Sequence, residues 1–182
     1  MPWEELPDTD LMRLVRNRRK EAFEILVRRH QRSVVNFFRR LGVYNNAEDL
    51  AQETFLRLYR SRKKYKPTAR FTTYLYTIAR NVRIDMLRKL KRANEFNEKL
   101  KEEQTVYEQE HLDRREPEID ANELLMSLSE EMRSVVVLNI YQGLDYREIG
   151  RTLDIPVGTV KSRMFNAMQK MRSLINEKQR DK

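Results

Sequence analysis

The sequence predicts an all-α chain: two small helical domains joined by an acidic flexible linker. Apolar residues recur at three- and four-residue steps through most of the chain, and no run alternates apolar with polar over strand length. Only 4 Gly and 5 Pro punctuate 182 residues, so the periodic segments run long. Charge is divided by position. Residues 1–92 carry 23 basic and 10 acidic side chains (+13), residues 93–120 carry 4 and 10 (−6), and residues 121–182 carry 10 and 8 (+2). The middle stretch, "ANEFNEKLKEEQTVYEQEHLDRREPEID", is poor in core residues and contains Pro117, which marks it as a linker between domains 1–92 and 121–182.

The same composition narrows the function classes. A formal charge of +9 fits a polyanion-binding protein. There is no cysteine and only His30 and His111 offer imidazole, so no disulfide framework is possible and neither a metal nor another cofactor is expected. The opening "MPWEELPDTD" lacks the basic and apolar regions of a signal peptide, and no apolar run approaches the length of a membrane span. A cytoplasmic protein without membrane insertion is expected.

Taken in order, helices are expected near Asp10 to Asn17, Glu21 to Leu41, Asn46 to Arg62, Phe71 to Arg92 and Ile119 to Leu128. In "NAEDLAQETFLRLYR", 100° per residue turns Ala47, Ala51, Phe55 and Leu58 inward and gathers Asp49, Gln52, Glu53 and Leu56 on another side. An acidic and amide patch with a leucine, on the most basic part of the chain, suits a protein contact; a solvated face is the plainer alternative. The basic loop "RSRKKYKPTAR" follows. In "RFTTYLYTIARNVRIDMLRKLKR", Phe71, Leu75, Ile78, Ala79, Val82 and Met86 align inward, while Tyr74, Thr77, Asn81, Arg88 and Arg92 run along the outside. Aromatic rings can stack on unpaired bases and cations can follow phosphates, so this stripe suits nucleic acid, single strands included. Half-buried packing of the tyrosines is the alternative.

"SVVVLNIY" is rich in β-branched residues, yet Ser129, Glu130 and Glu131 before it and Gly143 after it frame a helix. Asp145 and Glu148 then have the spacing of a capping box opening a short helix. Asp154 to Pro156 breaks that helix, because proline has no N–H and drives Ile155 from helical angles. From Val157 on, Val160, Met164, Ala167, Met171 and Leu174 form a buried stripe. Thr159, Lys161, Ser162, Arg163, Asn166 and Lys170 oppose it. Hydroxyls, cations and an amide on the second helix of an angled pair suit phosphates and base edges, as in a DNA-binding helix-turn-helix; an ordinary helical hairpin is the other reading.

The blocks "AFEILVRRHQ", "AEDLAQETFLRLYR", "RFTTYLYTIARNVRIDMLRK" and "GLDYREIGRTLDIPVGTVKSR" occur in the order seen in bacterial sigma factors of the extracytoplasmic function group, and the resemblance spans nearly the whole chain. It implies two helical domains, called regions 2 and 4, that bind core RNA polymerase and recognise the minus-10 and minus-35 elements of promoter DNA, with no enzymatic activity. Asp49 to Glu53 resemble the family's docking motif for the clamp coiled coil of the largest polymerase subunit, which implies Asp49, Gln52, Glu53 and Leu56 as the core-binding patch. Phe71, Tyr74, Leu75, Ile78, Ala79, Asn81 and Asp85 fall on the minus-10 and melting block. The loop from Lys66 to Arg70 matches one that captures a flipped base. With Thr77, Arg88 and Arg92 these give the minus-10 set. Thr159, Lys161, Ser162, Arg163, Phe165, Asn166 and Lys170 give the minus-35 set. The linker resembles a segment that threads the RNA exit path, and an anti-sigma factor is an expected partner.

Departures from the family pattern are local. Tyr74 stands where the family usually has Trp, Ser129 where it has Pro, and Asn166 and Met168 where two arginines flank Ala167. A stand-alone helix-turn-helix regulator would account for the last third of the chain but leave the first-domain patch and aromatic stripe unused. A sequence-indifferent RNA-binding or adaptor protein would use only the charge.

Overall fold

A computed structural model of the chain describes residues 3–98 and 121–180, the side chains of 96–98 aside. Eight α-helices occur among the described residues, without strands: α1 (Asp8–Arg16), α2 (Lys20–Arg40), α3 (Ala47–Arg60), α4 (Phe71–Glu98), α5 (Ala121–Met126), α6 (Glu130–Val136), α7 (Tyr146–Leu153) and α8 (Val157–Arg180). α4 runs six residues past the expected Arg92, into the acidic stretch; the rest of the proposed linker, 99–120, lies outside the described residues.

The first domain is built on the expected apolar faces. Ala47, Ala51, Phe55 and Leu58 of α3 and Phe71, Leu75, Ala79 and Val82 of α4 are all buried, with Ile78 and Met86 at the half-buried margin. They close over Leu26, Val34, Phe37 and Phe38 of α2, and α1 adds Leu11, Met12 and Val15. Polar contacts fix the start of α1 against the middle of α2: the Asp8 carboxylate accepts from Arg29 and is paired with His30, each at 2.7 Å. Burial pushes the Asp8 carboxyl up, but hydrogen bonds from His30 and Arg29 outweigh it and hold the group below its ordinary value.

The second domain solves a harder local problem. Val135, Val136, Val137 and Leu138 are four consecutive buried residues, which no single helix stripe accommodates. α6 is therefore surrounded by neighbours, and it ends in a wider π-turn, Val137–Tyr141. The β-branched run is helical as expected, but its last turn is not α-helical. Gly143, at φ 68, then reverses the chain, with Gly143 N–H donating to Asn139 and Leu144 N–H to Leu138.

Side chains also cross between the two domains. The Thr73 hydroxyl on α4 donates to the Glu148 carboxylate on α7 at 3.0 Å, the Tyr76 hydroxyl donates to Gln142, and Arg83 pairs with Glu130 at 2.5 Å. Arg40 lies over the Tyr141 ring at 3.9 Å, and Asn122 donates to the Tyr44 hydroxyl. Burial raises the Tyr76 phenol far above its ordinary value, so it stays a neutral donor.

Candidate functional site

Three surfaces collect the side chains singled out in the sequence. On α3, Asp49, Gln52 and Leu56 are exposed, Leu56 by 49%. Glu53 is half-buried because it accepts from Arg57 Nε at 2.7 Å. The other end of the same guanidinium donates to Asp85 on α4 at 2.5 Å. That hydrogen bond from Arg57 holds the Asp85 carboxyl below its ordinary value, while the bonds to Glu53 and Asp85 raise Arg57. Sequence reasoning missed Arg57. Its spacing of four from Glu53 was a usable signal, but nothing in the sequence paired it with Asp85, 28 positions on.

The second surface is the outside of α4 and the loop before it. Lys66, Arg70, Asn81, Arg88 and Arg92 are exposed, and Tyr74 and Thr77 are half-buried. Tyr74 is held rather than loose: its hydroxyl shares a 2.8 Å hydrogen bond with Ser61, and its ring lies 5.2 Å from that of Tyr65. Thr77 returns its hydroxyl to the Thr73 carbonyl. Arg88 Nη1 stands 3.9 Å from Asp85, and Arg70 Nε 3.7 Å from Glu148. Phe71 does not share this surface. At 3% exposure, with its ring centroid 5.2 Å from that of His30, it leaves no face for a base and serves to seat the start of α4.

The third surface is α8, set by the turn before it. Asp145 accepts from the N–H groups of Arg147 and Glu148, and Glu148 returns a bond to Asp145 N–H, so the expected capping box is formed. That first bond from the Glu148 amide is the main reason Asp145 lies below its ordinary carboxyl value. Asp154 closes α7 in the left-handed conformation, φ 56, and Ile155 N–H donates back to Gly150 at 3.0 Å. The two strands of chain pass so close that a Cβ on Gly150 would stand 2.9 Å from the Ile155 carbonyl oxygen. Val160, Met164 and Ala167 are buried against the domain, which turns Lys161, Ser162, Phe165, Asn166 and Lys170 to solvent and leaves Thr159 and Arg163 half-buried. Phe165 and Met168 are exposed by 64% and 44%, a strongly apolar pair for a cationic face.

An angled helix pair with a polar second helix stands beside a helical domain bearing an aromatic and cationic stripe, two surfaces whose side chains suit nucleic acid. Residues 26–93 match the family model for sigma-70 region 2, and residues 120–171 match that for sigma-70 region 4. The chain is 32% identical to the ECF RNA polymerase sigma-E factor of Haemophilus influenzae, over 94% of this chain and 97% of that one. It is 34% identical to the ECF RNA polymerase sigma factor SigW of Bacillus subtilis, over 77% and 81%. Among solved structures, its fold resembles CnrH in complex with the cytosolic domain of CnrY, with a TM-score of 0.70, 22% identity and coverage of 93% and 97%. It also resembles RpoE in complex with the anti-sigma factor NepR from Bartonella quintana, with a TM-score of 0.72, 21% identity and coverage of 85% and 96%. The chain belongs to the extracytoplasmic function group of sigma-70 factors, the alternative sigma factors that direct transcription.

Proposed function

We propose that residues 1–92 act as region 2, residues 121–182 as region 4 and residues 93–120 as the linker between them, and that the three surfaces divide the work of initiation. The exposed patch Asp49, Gln52 and Leu56, with Glu53 at its edge, docks on core RNA polymerase. Its leucine supplies apolar contact and its carboxylates supply charge complementarity. Arg57 fixes the angle between that patch and α4, so docking presents the α4 stripe to DNA in one orientation. Tyr74 and Asn81 hold unstacked bases of the minus-10 element while Lys66, Arg70, Arg88 and Arg92 follow phosphates.

Energetics favour this division. Unstacking a DNA step costs about 1.4 kcal/mol on average, and an aromatic stack returns about 1–3 kcal/mol per base, so one well-placed ring offsets roughly one opened step. Tyr74 suits that task because its hydroxyl is tied to Ser61, which leaves little rotamer freedom to lose. On α8, Ser162, Arg163, Phe165 and Asn166 read minus-35 base edges, with Thr159 at the start of the helix, and Lys161 and Lys170 hold the flanking backbone. The work is binding and strand separation, with no covalent chemistry asked of any side chain. It takes place in the cytoplasm with polymerase and promoter. An anti-sigma factor is the proposed inhibitory partner, supported by the related fold of RpoE solved with the anti-sigma factor NepR. Among the described residues no helix is long and apolar enough to cross a membrane.

The observation that carries the reading is the match of both regions in one chain, since a stand-alone helix-turn-helix regulator leaves residues 26–93 unexplained. The test is transcription by purified core polymerase with the wild-type chain and with Asp49→Lys/Leu56→Glu. Wild type is expected to direct starts from specific promoters. The variant should keep its helical fold, lose co-purification with core and lose transcription, because both sites are exposed. Undiminished co-purification would remove this surface from the polymerase interface.

A further inference from the structure

The turn between α1 and α2, from Arg16 to Lys20, carries side chains that its backbone does not favour. Arg18 follows α1 in the left-handed conformation, φ 63, and its N–H donates to the Val15 carbonyl at 3.0 Å while that of Arg19 donates to Leu14 at 3.1 Å. Those two bonds are the helix-ending pattern in which glycine is the usual residue, because a Cβ in left-handed backbone crowds the following carbonyl. Arg19 then stands at the N-cap of α2, where Ser, Asp or Asn would accept from a free N–H, and its side chain makes no cap bond. The cations of Arg19 and Lys20 also lie at the positive end of the α2 dipole. At three successive positions stability favours another residue, and the chain has a cation.

Their surroundings leave these charges unmatched. Arg16, Arg18, Arg19 and Lys20 are exposed and none is in an ion pair among the described residues, whereas Arg13, one turn earlier, is paired with Asp10. Glu21 and Glu24, on the first turns of α2, are exposed and pair with none of them. The patch continues into a second basic segment. Phe23 of α2 places its ring 5.1 Å from that of Tyr59 at the end of α3, and the Arg62 guanidinium lies over the same Tyr59 ring at 4.2 Å. Lys63 and Lys64 follow, exposed and likewise unpaired among the described residues, in a short turn that packs on α1. From there the chain runs through Lys66 and Arg70 to Tyr74. One cationic ridge therefore leads from the α1–α2 turn to the proposed minus-10 surface.

The make-up of the ridge decides its partner. Protein interfaces have an apolar centre, and none of the exposed large apolar side chains among the described residues belongs to these two segments. Unpaired cations without such a centre fit a phosphate chain. Charge for solubility can sit anywhere on a surface, whereas charge kept in a left-handed position and at an uncapped helix start points to a ligand. We infer that Arg16, Arg18, Arg19 and Lys20, with Arg62, Lys63 and Lys64, form a further DNA contact that follows the phosphate backbone of the promoter where it leaves the minus-10 surface. This rests on the reading of α4 as the minus-10 reader. Phosphate contacts carry affinity and register without sequence, so the ridge strengthens binding to any DNA and leaves base preference to α4 and α8.

The strained turn allows a test in which stability and binding move apart. Arg18→Gly relieves the left-handed backbone and Arg19→Ser can cap α2, so the double variant is expected to unfold in denaturant at a midpoint no lower than wild type. Assembled with core polymerase, it should bind a promoter fragment at least about fivefold more weakly at low salt, with the slope of log affinity against log salt shallower by about 0.7–0.9 for each cation removed. Random DNA should be weakened by the same factor. Arg18→Lys/Arg19→Lys keeps both charges and should bind as wild type does. Unchanged affinity and slope in the double variant overturn the ridge as a DNA contact. So does weaker co-purification with core at an unchanged DNA slope, which would assign the ridge to an acidic protein surface. A lower unfolding midpoint overturns the inference too, since the arginines would then be holding the turn. Wild type in the same assay separates the two levels: if its holoenzyme does not prefer promoter to random DNA, the α4 reading falls and the ridge with it, and if it does while the slopes coincide, the ridge falls alone.

Discussion

In the first domain α3 and α4 are fixed to each other by a side chain: Arg57 bridges Glu53, at the edge of the proposed docking patch, to Asp85, beside the proposed melting stripe. In the second domain α7 and α8 are fixed by the main chain. A left-handed Asp154, a hydrogen bond from Ile155 to Gly150 and an approach too tight for a Cβ set the angle of α8, the proposed reading helix. The difference matters for how each can be altered. A side-chain bridge can be lost with the fold left standing, because the apolar faces of α3 and α4 still pack. A backbone crossing offers no such partial failure, since the turn and the helix angle are one feature.

Breaking the backbone device should have the largest effect. Gly150→Ala forces the new methyl against a carbonyl oxygen, and overpacking of this kind costs about 1–3 kcal/mol. We expect chemical denaturation to show the second domain losing stability by about that amount and minus-35-dependent transcription falling sharply, while core binding through the first domain persists. A variant as stable as wild type would mean that the turn relaxes and that backbone contact does not set α8.

Next in size is the separation of strand opening from docking in the first domain. Tyr74→Ala/Asn81→Ala should slow transcription from duplex promoters by an order of magnitude or more, at about 1–3 kcal/mol per lost stack. A template carrying a preformed mismatched bubble should restore it, with core binding unchanged. Equal impairment on both templates would assign the stripe to folding.

The bridge itself should be milder. Arg57→Gln keeps part of the length but removes the guanidinium whose hydrogen bond holds Asp85 low, so we expect a modest loss of transcription, severalfold, with a melting temperature close to wild type. Loss of the whole first-domain fold would show that the bridge carries structure as well as orientation.

The smallest effect concerns pH. Asp8 has a folded pKa below its ordinary value, so its pairing with Arg29 and His30 adds stability that is present above the ordinary value of 3.8 and is lost as pH falls through the lower folded value. The stability gap between wild type and Asp8→Asn should therefore close as the pH falls into the acid range. A gap that widens on acidification would place the carboxyl shift in the opposite direction.

Sequence periodicity located the buried faces because burial follows helix geometry: Ala47, Ala51, Phe55 and Leu58 on α3, and Val160, Met164 and Ala167 on α8, are all inside. The capping box was legible for the same reason, being local and spaced by three. What one helix's period cannot show is a polar contact with another helix. Glu148 was read as a cap and is also the acceptor for Thr73, 75 positions away, and Arg83 lay between the expected faces because its partner belongs to the other domain. The π-turn after α6 escaped for a related reason, since it answers to neighbours that surround four consecutive apolar residues. Phe71 shows the converse. It belonged to the apolar stripe by periodicity, and resemblance to a DNA-contacting block counted it among the promoter contacts, whereas it is buried.

The division of labour between the two domains is tested most directly at Asn166, an exposed amide on α8 where the family usually carries arginine. Arginine pairs bidentately with guanine and asparagine with adenine, and a good pair discriminates by about 1–3 kcal/mol. A promoter library randomised across both the minus-10 and the minus-35 elements should be transcribed by wild-type and Asn166→Arg holoenzymes and the starts sequenced. The account expects wild type to lack a guanine preference at the minus-35 position facing residue 166, favouring adenine there, and Asn166→Arg to gain guanine at that position with minus-10 preferences untouched. Identical minus-35 preferences for the two proteins, or a change confined to the minus-10 element, would contradict it.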